Sequence, residues 1–370
     1  MTASATPRVP ERDSEIVETL PAVGGWSREE RRLRRELVQR PKDAAVAIAA
    51  ASGYLELARA QGDARYAGHA MGVLQAWQPV SASTPNDILV MHATVAQFLH
   101  DFDGAEATLR LALAQQPANA QGWLTLATIL RVRGRYADSD TACRALGRIR
   151  QNLYAVACLA ENAGLRGDYP AARDALQGLL QSPAVRDPRQ GATRQWLLTT
   201  LAEIEELAGR PAAADAAYRQ ALAADHSGYD LLAYSDFLLA HDRGGEVAAL
   251  LKAEPRSDAV LLRLAIADRK RPGMRRDADE LAARFEAASQ RPGTAALHAR
   301  EQALFALDVR QDAQTALALA RLNVQLQREP IDLLLLARAA HAADDDAARG
   351  EVKALMQQIG LRDARVDALP

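Results

Sequence analysis

Apolar residues recur at helical spacing along most of the chain, and the helices they indicate come in pairs joined by short turns. The best aligned turns lie at His100, Gly134, Gly167, Gly209 and Arg243, at spacings of 34, 33, 42 and 34 residues. A period near 34 is typical of stacked helix-turn-helix units, because one unit cannot bury its apolar face alone. Gln311 lies 68 residues after Arg243, so the register continues. The pattern predicts an all-α solenoid.

This pattern divides the chain into five segments. They are a flexible or extended N-terminal arm (1–26), a basic helix (27–41), a regular array of helix pairs (43–252), a less regular array with a C-terminal cap (253–360) and a tail (361–370). Ser27 and Glu30 have the spacing of a capping box, which places the start of the basic helix there. Prolines and a glycine between Ser182 and Gln195 indicate a longer loop. We expect about nine antiparallel helix pairs.

One unit carries a specific pattern of large and small residues, namely Trp123, Leu126, Ala127, Leu130, Gly134, Tyr136, Ala142 and Leu146. This pattern resembles the tetratricopeptide repeat. A second unit repeats it with Leu198, Leu201, Ala202, Gly209, Ala214, Tyr218, Ala221 and Leu222, although Pro211 replaces the turn aromatic. The resemblance covers about 43–360 and is strongest over 86–252. It implies a right-handed superhelix whose concave face binds other proteins.

Composition agrees with a folded helical protein: 49% of residues are hydrophobic, 25% are charged and only 5% are aromatic. The net charge of −2 provides no overall field for nucleic acid or an anionic membrane, so we expect neither partner. No stretch reaches the roughly 18 apolar residues of a membrane span. The first residues lack the apolar core of a secretory signal. We therefore expect a soluble cytoplasmic protein, or a periplasmic one if a leader was removed.

The motifs of common catalytic sites are missing from the sequence. It contains no GxxxxGK[ST] loop, GxSxG elbow, HExxH helix or paired CxxC. Asp101-Phe102-Asp103-Gly104 is similar to a cation loop, but no aligned glutamate completes the ligand ring. The seven histidines are scattered among different repeats. We predict neither an enzyme nor a bound cofactor or metal.

Cys143 and Cys158 lie on consecutive helices at similar distances from the turn at Gln151, so the two side chains should reach similar heights. In a reducing compartment they would be buried thiols, and in an oxidising compartment they would form a disulfide. The sequence leaves both states open.

The resemblance implies a concave binding surface on the first helix of each pair. Its candidate residues are Gln121, Leu124, Thr128, Arg131, Tyr154, Glu161, Trp196, Thr199, Glu203, Glu206, Asp230 and Phe237. Tyr154, Trp196 and Phe237 are expected as exposed aromatics, the alternative being that Trp196 and Phe237 pack against neighbouring helices. The lysines and asparagines with which some family members hold a terminal carboxylate are missing from these positions.

We therefore predict a scaffold or adaptor that binds a peptide or helical segment in its concave groove, with the acidic residues favouring basic or amphipathic partners. An alternative is an accessory subunit of a membrane or cell-envelope system, docked through the N-terminal arm and the Arg28–Arg40 helix. A ligand or metal sensor is a more remote alternative. The pattern predicts neither the partner's identity nor the oligomeric state.

Overall fold

The structure of the chain is a computed structural model, and it describes residues 26–149, 153–224, 228–269, 276–289 and 298–369. The first helix is α1 (Trp26–Gln39). Nine antiparallel pairs follow: α2 (Ala44–Gln61) with α3 (Arg65–Val73), α4 (Asn86–Phe98) with α5 (Phe102–Gln115), α6 (Ala120–Val132) with α7 (Tyr136–Ile149), α8 (Leu153–Leu165) with α9 (Tyr169–Gln181), α11 (Gly191–Leu207) with α12 (Pro211–Ala224), α13 (Gly228–Ala240) with α14 (Gly244–Leu250), α15 (Asp258–Asp268) with α16 (Arg276–Ser289), α17 (Ala299–Leu304) with α18 (Ala313–Leu326), and α19 (Pro330–Ala342) with α20 (Asp346–Ile359).

Two short helices, α10 (Pro183–Arg186) and α21 (Ala364–Asp367), complete the described chain, and a π-helical segment, Phe305–Arg310, extends α17. The prediction of an all-α solenoid of helix pairs is confirmed. Two predicted boundaries are wrong. The basic helix begins at Trp26, before Ser27. The loop expected up to Gln195 contains α10 and a 3-10 turn, because prolines fit the first turn of a helix, and α11 begins at Gly191.

Each described turn within a pair has one residue in the left-handed region of backbone space. These residues are Gly62, His100, Gly134, Gly167, Gly209, Asp242, Gln311 and Asp344. In the sixth pair the left-handed residue is Asp242, one position before the predicted Arg243. An aspartate often follows and caps the second helix: Asp101 accepts the N–H of Gly104 at 3.0 Å. The acidic sequence at Asp101 is therefore a helix cap.

Neighbouring pairs share continuous apolar cores. Leu126, Leu130 and Ala142 of one pair belong to the same buried cluster as Leu109 of the pair before it. Large residues of the first helices pack against alanines of the second, as the sequence pattern predicts. Each pair therefore buries its apolar face only in the presence of its neighbours.

A second set of contacts joins parts of the chain that lie about 195 residues apart. A Cβ atom at Gly62 would overlap Ser257. The N–H of Arg328 donates to the carbonyl of Val132 at 2.7 Å. Since about six pairs separate these partners, six pairs make one turn of the superhelix and the next turn stacks directly on it.

The stacked turn also buries apolar surface. Leu165 and Leu207, from pairs of the first turn, share a core with Leu336 and Leu361 of the second. The N–H of Arg362 donates to the carbonyl of Leu165 at 2.9 Å. The superhelix therefore closes around a narrow lumen, and the open groove that the sequence led us to expect is replaced by a cavity.

Candidate functional site

The lumen contains a cavity of about 300 Å³, here called the central cavity. The first helices α6, α8, α11, α13 and α15 supply most of its wall, and α17, α21 and the start of α19 complete it. Leu165, Ile204, Leu207 and Leu304 give part of this wall an apolar surface. Three tyrosines also line it, namely Tyr136, Tyr218 and Tyr229. Its volume lies at the lower end of the range for small-ligand sites.

Acidic groups outnumber basic groups in the central cavity. The lining carboxylates are those of Glu161, Glu203, Glu206, Asp236, Glu301 and Glu329. The lining guanidinium groups are those of Arg131, Arg263, Arg300 and Arg365. With every group ionised, the wall would carry an excess of two negative charges.

Each guanidinium group of the wall is paired with a carboxylate of the wall. The pairs are Arg131–Glu161 (2.9 Å), Arg263–Asp236 (2.5 Å), Arg300–Glu329 (2.6 Å) and Arg365–Glu206 (2.8 Å). Glu203 and Glu301 form no ion pair with another described residue. The unbalanced negative charge of the cavity therefore resides on these two side chains.

Glu203 has one hydrogen-bond donor, the Tyr229 hydroxyl, at 2.6 Å. Burial raises the pKa of Glu203 to about 8, and the neighbouring carboxylates of Glu161 and Glu206 raise it further, against the hydrogen bond. Glu203 is therefore largely protonated at neutral pH, and a cation placed beside it would favour the ionised form.

Burial also raises the pKa of Glu161, although Arg131 opposes the shift. The same holds for Glu206, where Arg365 and the Tyr218 hydroxyl favour the charged form. These carboxylates thus lie in an environment that disfavours negative charge until a cation is nearby.

The central cavity brings together four of the residues that the repeat register predicts, Arg131, Glu161, Glu203 and Glu206. The remaining eight lie outside its wall: Gln121, Leu124, Thr128, Tyr154, Trp196, Thr199, Asp230 and Phe237. Gln121 is exposed, and Leu124, Thr128, Tyr154 and Trp196 are half-buried. No described feature joins these residues to the four in the cavity as one surface.

Three of the predicted groove residues belong to the core, which corrects the sequence interpretation. Phe237 is 2% exposed and packs among aromatic rings, with the Tyr218 ring centre 5.6 Å away. Thr199 and Asp230 are buried and hydrogen-bonded to each other. Of the expected exposed aromatics, Trp196 packs against the same core cluster, and its ring lies 5.7 Å from that of Tyr154.

The reason for this error is a shift of one residue in the register of α13. The lining residues of this helix are Tyr229, Leu232, Ala233 and Asp236. The family pattern selects Asp230 and Phe237, each one position later, and one residue rotates a side chain by about 100° around a helix. Aligning Asp236 with Glu203, 33 residues earlier, would have found this lining.

The lining residues from the C-terminal pairs have no counterpart in the sequence prediction. Arg300, Glu329 and Arg365 reach the cavity only because the second superhelical turn stacks on the first. Their positions in the repeat do not mark them as lining residues. Sequence reasoning therefore had no signal for this half of the wall.

Cys143 and Cys158 form a disulfide, with their Cα atoms 5.9 Å apart. Both residues are buried, at 0% and 1% exposure. Asn162 donates to Asp140 at 2.9 Å and to Ser139 at 3.0 Å beside this bridge. The proximity that the sequence predicts is confirmed, and the bridge joins α7 to α8.

Across the part of the chain that the structure describes, no helix is both long and apolar enough to cross a membrane. The same residues contain no group of three histidine, cysteine or acidic side chains arranged to hold a metal ion.

Comparison with known proteins gives matches among solved structures alone. No family model matches the chain, and no curated protein matches it. A tetratricopeptide repeat protein from Parabacteroides merdae is 13% identical, with 69% of this chain and 91% of that chain covered and a TM-score of 0.47. The human IFIT1 dimer with PPP-AAAA is 11% identical, with 90% and 78% covered and a TM-score of 0.41. The pilF protein of Pseudomonas aeruginosa is 13% identical, with 74% and 91% covered and a TM-score of 0.32.

Proposed function

We propose that this chain is a protein-interaction scaffold that captures a basic segment of its partner at the central cavity. The excess of carboxylates over guanidinium groups in the cavity wall supports this function. All four arginines are already paired, so an acidic segment would meet no unpaired cation there. A basic segment would meet Glu203 and Glu301, which lack a cationic partner among the described residues.

The closed lumen limits how the partner binds. A helix or an extended peptide laid along a groove needs far more space than about 300 Å³. One side chain from a partner fits this volume, while the rest of the partner contacts the surface around the opening. Tyr229, which is 64% exposed, lies at that opening and offers an aromatic contact.

A carbodiimide crosslinking experiment tests this function directly. The reagent joins carboxylates to lysine amines without a spacer, and the chain has only four lysines, so self-crosslinks are few. We expect a captured partner whose lysine is joined to Glu203 or Glu301, and we expect this product to be lost in Glu203→Gln. Crosslinks confined to outer carboxylates such as Glu56, or equal capture by Glu203→Gln, would move the site elsewhere.

A second candidate function, docking on an acidic surface of a membrane-associated assembly, is supported by α1. Arg28, Arg31 and Arg35 are exposed on this helix and form no ion pair within the described chain. Val38, on the same side, is 81% exposed. If α1 docks the chain, Arg31→Gln with Arg35→Gln releases it from the membrane fraction. The matched control replaces the exposed Arg148 and Arg186 in the same way, and equal release by both variants would reject docking through α1.

A further inference from the structure

Two polar atoms of the cavity wall have no hydrogen-bond partner. Tyr136 is 2% exposed, and its hydroxyl is buried without a partner. The Oε2 atom of Glu161 is also buried and unbonded, although its Oε1 atom pairs with Arg131. Buried polar groups are nearly always hydrogen-bonded in native proteins, so each exception needs an explanation. Here both exceptions face the same cavity, which indicates that a polar group is missing from it.

The chemistry of the wall identifies the missing group as a donor with positive charge. Carboxylates only accept hydrogen bonds when ionised, and a tyrosine hydroxyl can accept as well as donate. Glu203 and Glu301 have no cationic partner among the described residues. An N–H group of a cation can donate to Glu203, to Glu161 and to the Tyr136 hydroxyl. An anion would face six carboxylates and no unpaired arginine.

The remaining surfaces of the cavity suit an alkyl chain attached to that cation. Leu165, Ile204 and Leu207 form an apolar part of the wall beside the charged groups. The exposed ring of Tyr229 lies next to Glu203, where a cation can contact its face. A volume of about 300 Å³ accommodates one amino-acid-sized group.

We propose that the central cavity binds one organic cation, an alkylammonium or alkylguanidinium group, between Glu203, Glu161 and the Tyr136 hydroxyl. This inference deepens the proposed scaffold function, on which its partner-borne form rests, because the cation can be a lysine or arginine side chain of the partner. The same chemistry fits a free amine. The two sources share a binding mode and differ only in what the cation is attached to.

Binding of the cation is linked to the ionisation of Glu203. This carboxyl faces the Glu161–Arg131 pair from α8 and α6, the Glu206–Arg365 pair from α11 and α21, Glu329 with Arg300 from the C-terminal pairs, and Tyr218 and Tyr229 from α12 and α13. The carboxyl must lose its proton to pair fully with a cation, and alkylammonium groups stay charged well above pH 8. Affinity should therefore rise between pH 6.5 and pH 8.5, by about tenfold or more.

The experiment is a calorimetric titration of the full chain with agmatine, with butylammonium and with the peptide acetyl-Gly-Lys-Gly-amide. Butanol serves as the uncharged control for the same alkyl chain. We expect the cations to bind and butanol not to bind. Glu203→Gln and Tyr136→Phe should each weaken cation binding, Glu203→Gln by about tenfold or more and with loss of the pH dependence. Glu56→Gln, an exposed carboxylate on α2, should leave binding unchanged.

Thermal unfolding of each variant, followed by circular dichroism, establishes that the proteins compared are folded. The inference is overturned if folded wild-type protein binds none of the three cations at pH 8.5, or if Glu203→Gln and Tyr136→Phe bind as tightly as wild type. Binding of the lysine peptide alone assigns the site to a partner's side chain. Binding of agmatine together with failed carbodiimide capture keeps the cation site and removes the scaffold function.

Discussion

At the scale of the residue, Glu203 combines a half-buried carboxyl with three nearby carboxylates and no counter-cation among the described side chains. Its pKa of about 8 lies above the ordinary value of 4.5, so the folded state favours the protonated form. The stability that this provides is fully present below pH 4.5. It is lost as the pH rises through about 8, because the unfolded chain then ionises more easily.

Glu203→Gln should therefore change stability in a pH-dependent way. Glutamine keeps the shape and hydrogen bonding of the protonated acid without the charge. At pH 8.5 we expect the variant to be more stable than wild type by on the order of 1 kcal/mol, and at pH 4.5 to be equal to it. Urea unfolding at the two pH values measures the difference. An unchanged gap between them, or a less stable variant at pH 8.5, would show that Glu203 is not strained by its surroundings.

The Cys143–Cys158 bridge gives a second prediction at this scale. It closes a loop of 15 residues between α7 and α8. Replacing both cysteines by alanine should lower the free energy of unfolding by about 3 kcal/mol. Urea unfolding with and without a reductant measures this, and the reductant should affect only the wild-type protein. Quantitative alkylation of both cysteines in unfolded, unreduced protein would contradict the bridge.

At the scale of the element, the turn glycines have two tasks. Gly134 has φ +71°, and a Cβ atom there would lie 2.9 Å from Cγ2 of Ile359 in the stacked turn. The residue is required both for the reversal between α6 and α7 and for the close approach of α20. A conserved-looking turn thus doubles as a contact between superhelical turns.

Gly134→Ala should therefore destabilise the protein by about 1–3 kcal/mol. The matched control is Gly350→Ala, since Gly350 lies within α20 and no atom would lie within 4 Å of its Cβ. That change should be neutral or stabilising by up to about 1 kcal/mol. Thermal or urea unfolding compares the two. Equal effects of both substitutions would mean that the stacked turn does not press on Gly134.

Most elements were predictable from the sequence, because the 34-residue pattern places the turns and the apolar stripes place the helices. The lining of α13 was not, since Phe237 and Asp236 are neighbours and both fit a helical register. Only the packing of Phe237 against Tyr218 decides which of them faces the core. The proximity of Cys143 and Cys158 was predictable because one short turn joins their helices.

At the scale of the whole molecule, the superhelix is closed by contacts between its turns. Gly62 meets Ser257, and Val132 accepts a hydrogen bond from Arg328, about 195 residues later. No repeat pattern marks such pairs, because the pitch of a superhelix depends on small rotations summed over six helix pairs. The sequence therefore predicts a solenoid and a concave face, but not the narrow lumen or the C-terminal half of its wall.

The most direct test of this account is a distance measurement across the stacked turns. Spin labels on Ala60→Cys and Arg256→Cys flank the contact between Gly62 and Ser257, and the native cysteines are joined in a buried disulfide. Stacked turns predict a narrow distance distribution below about 30 Å. An open solenoid, with six helix pairs between the labels, would instead give distances beyond about 40 Å and would remove the central cavity as a site.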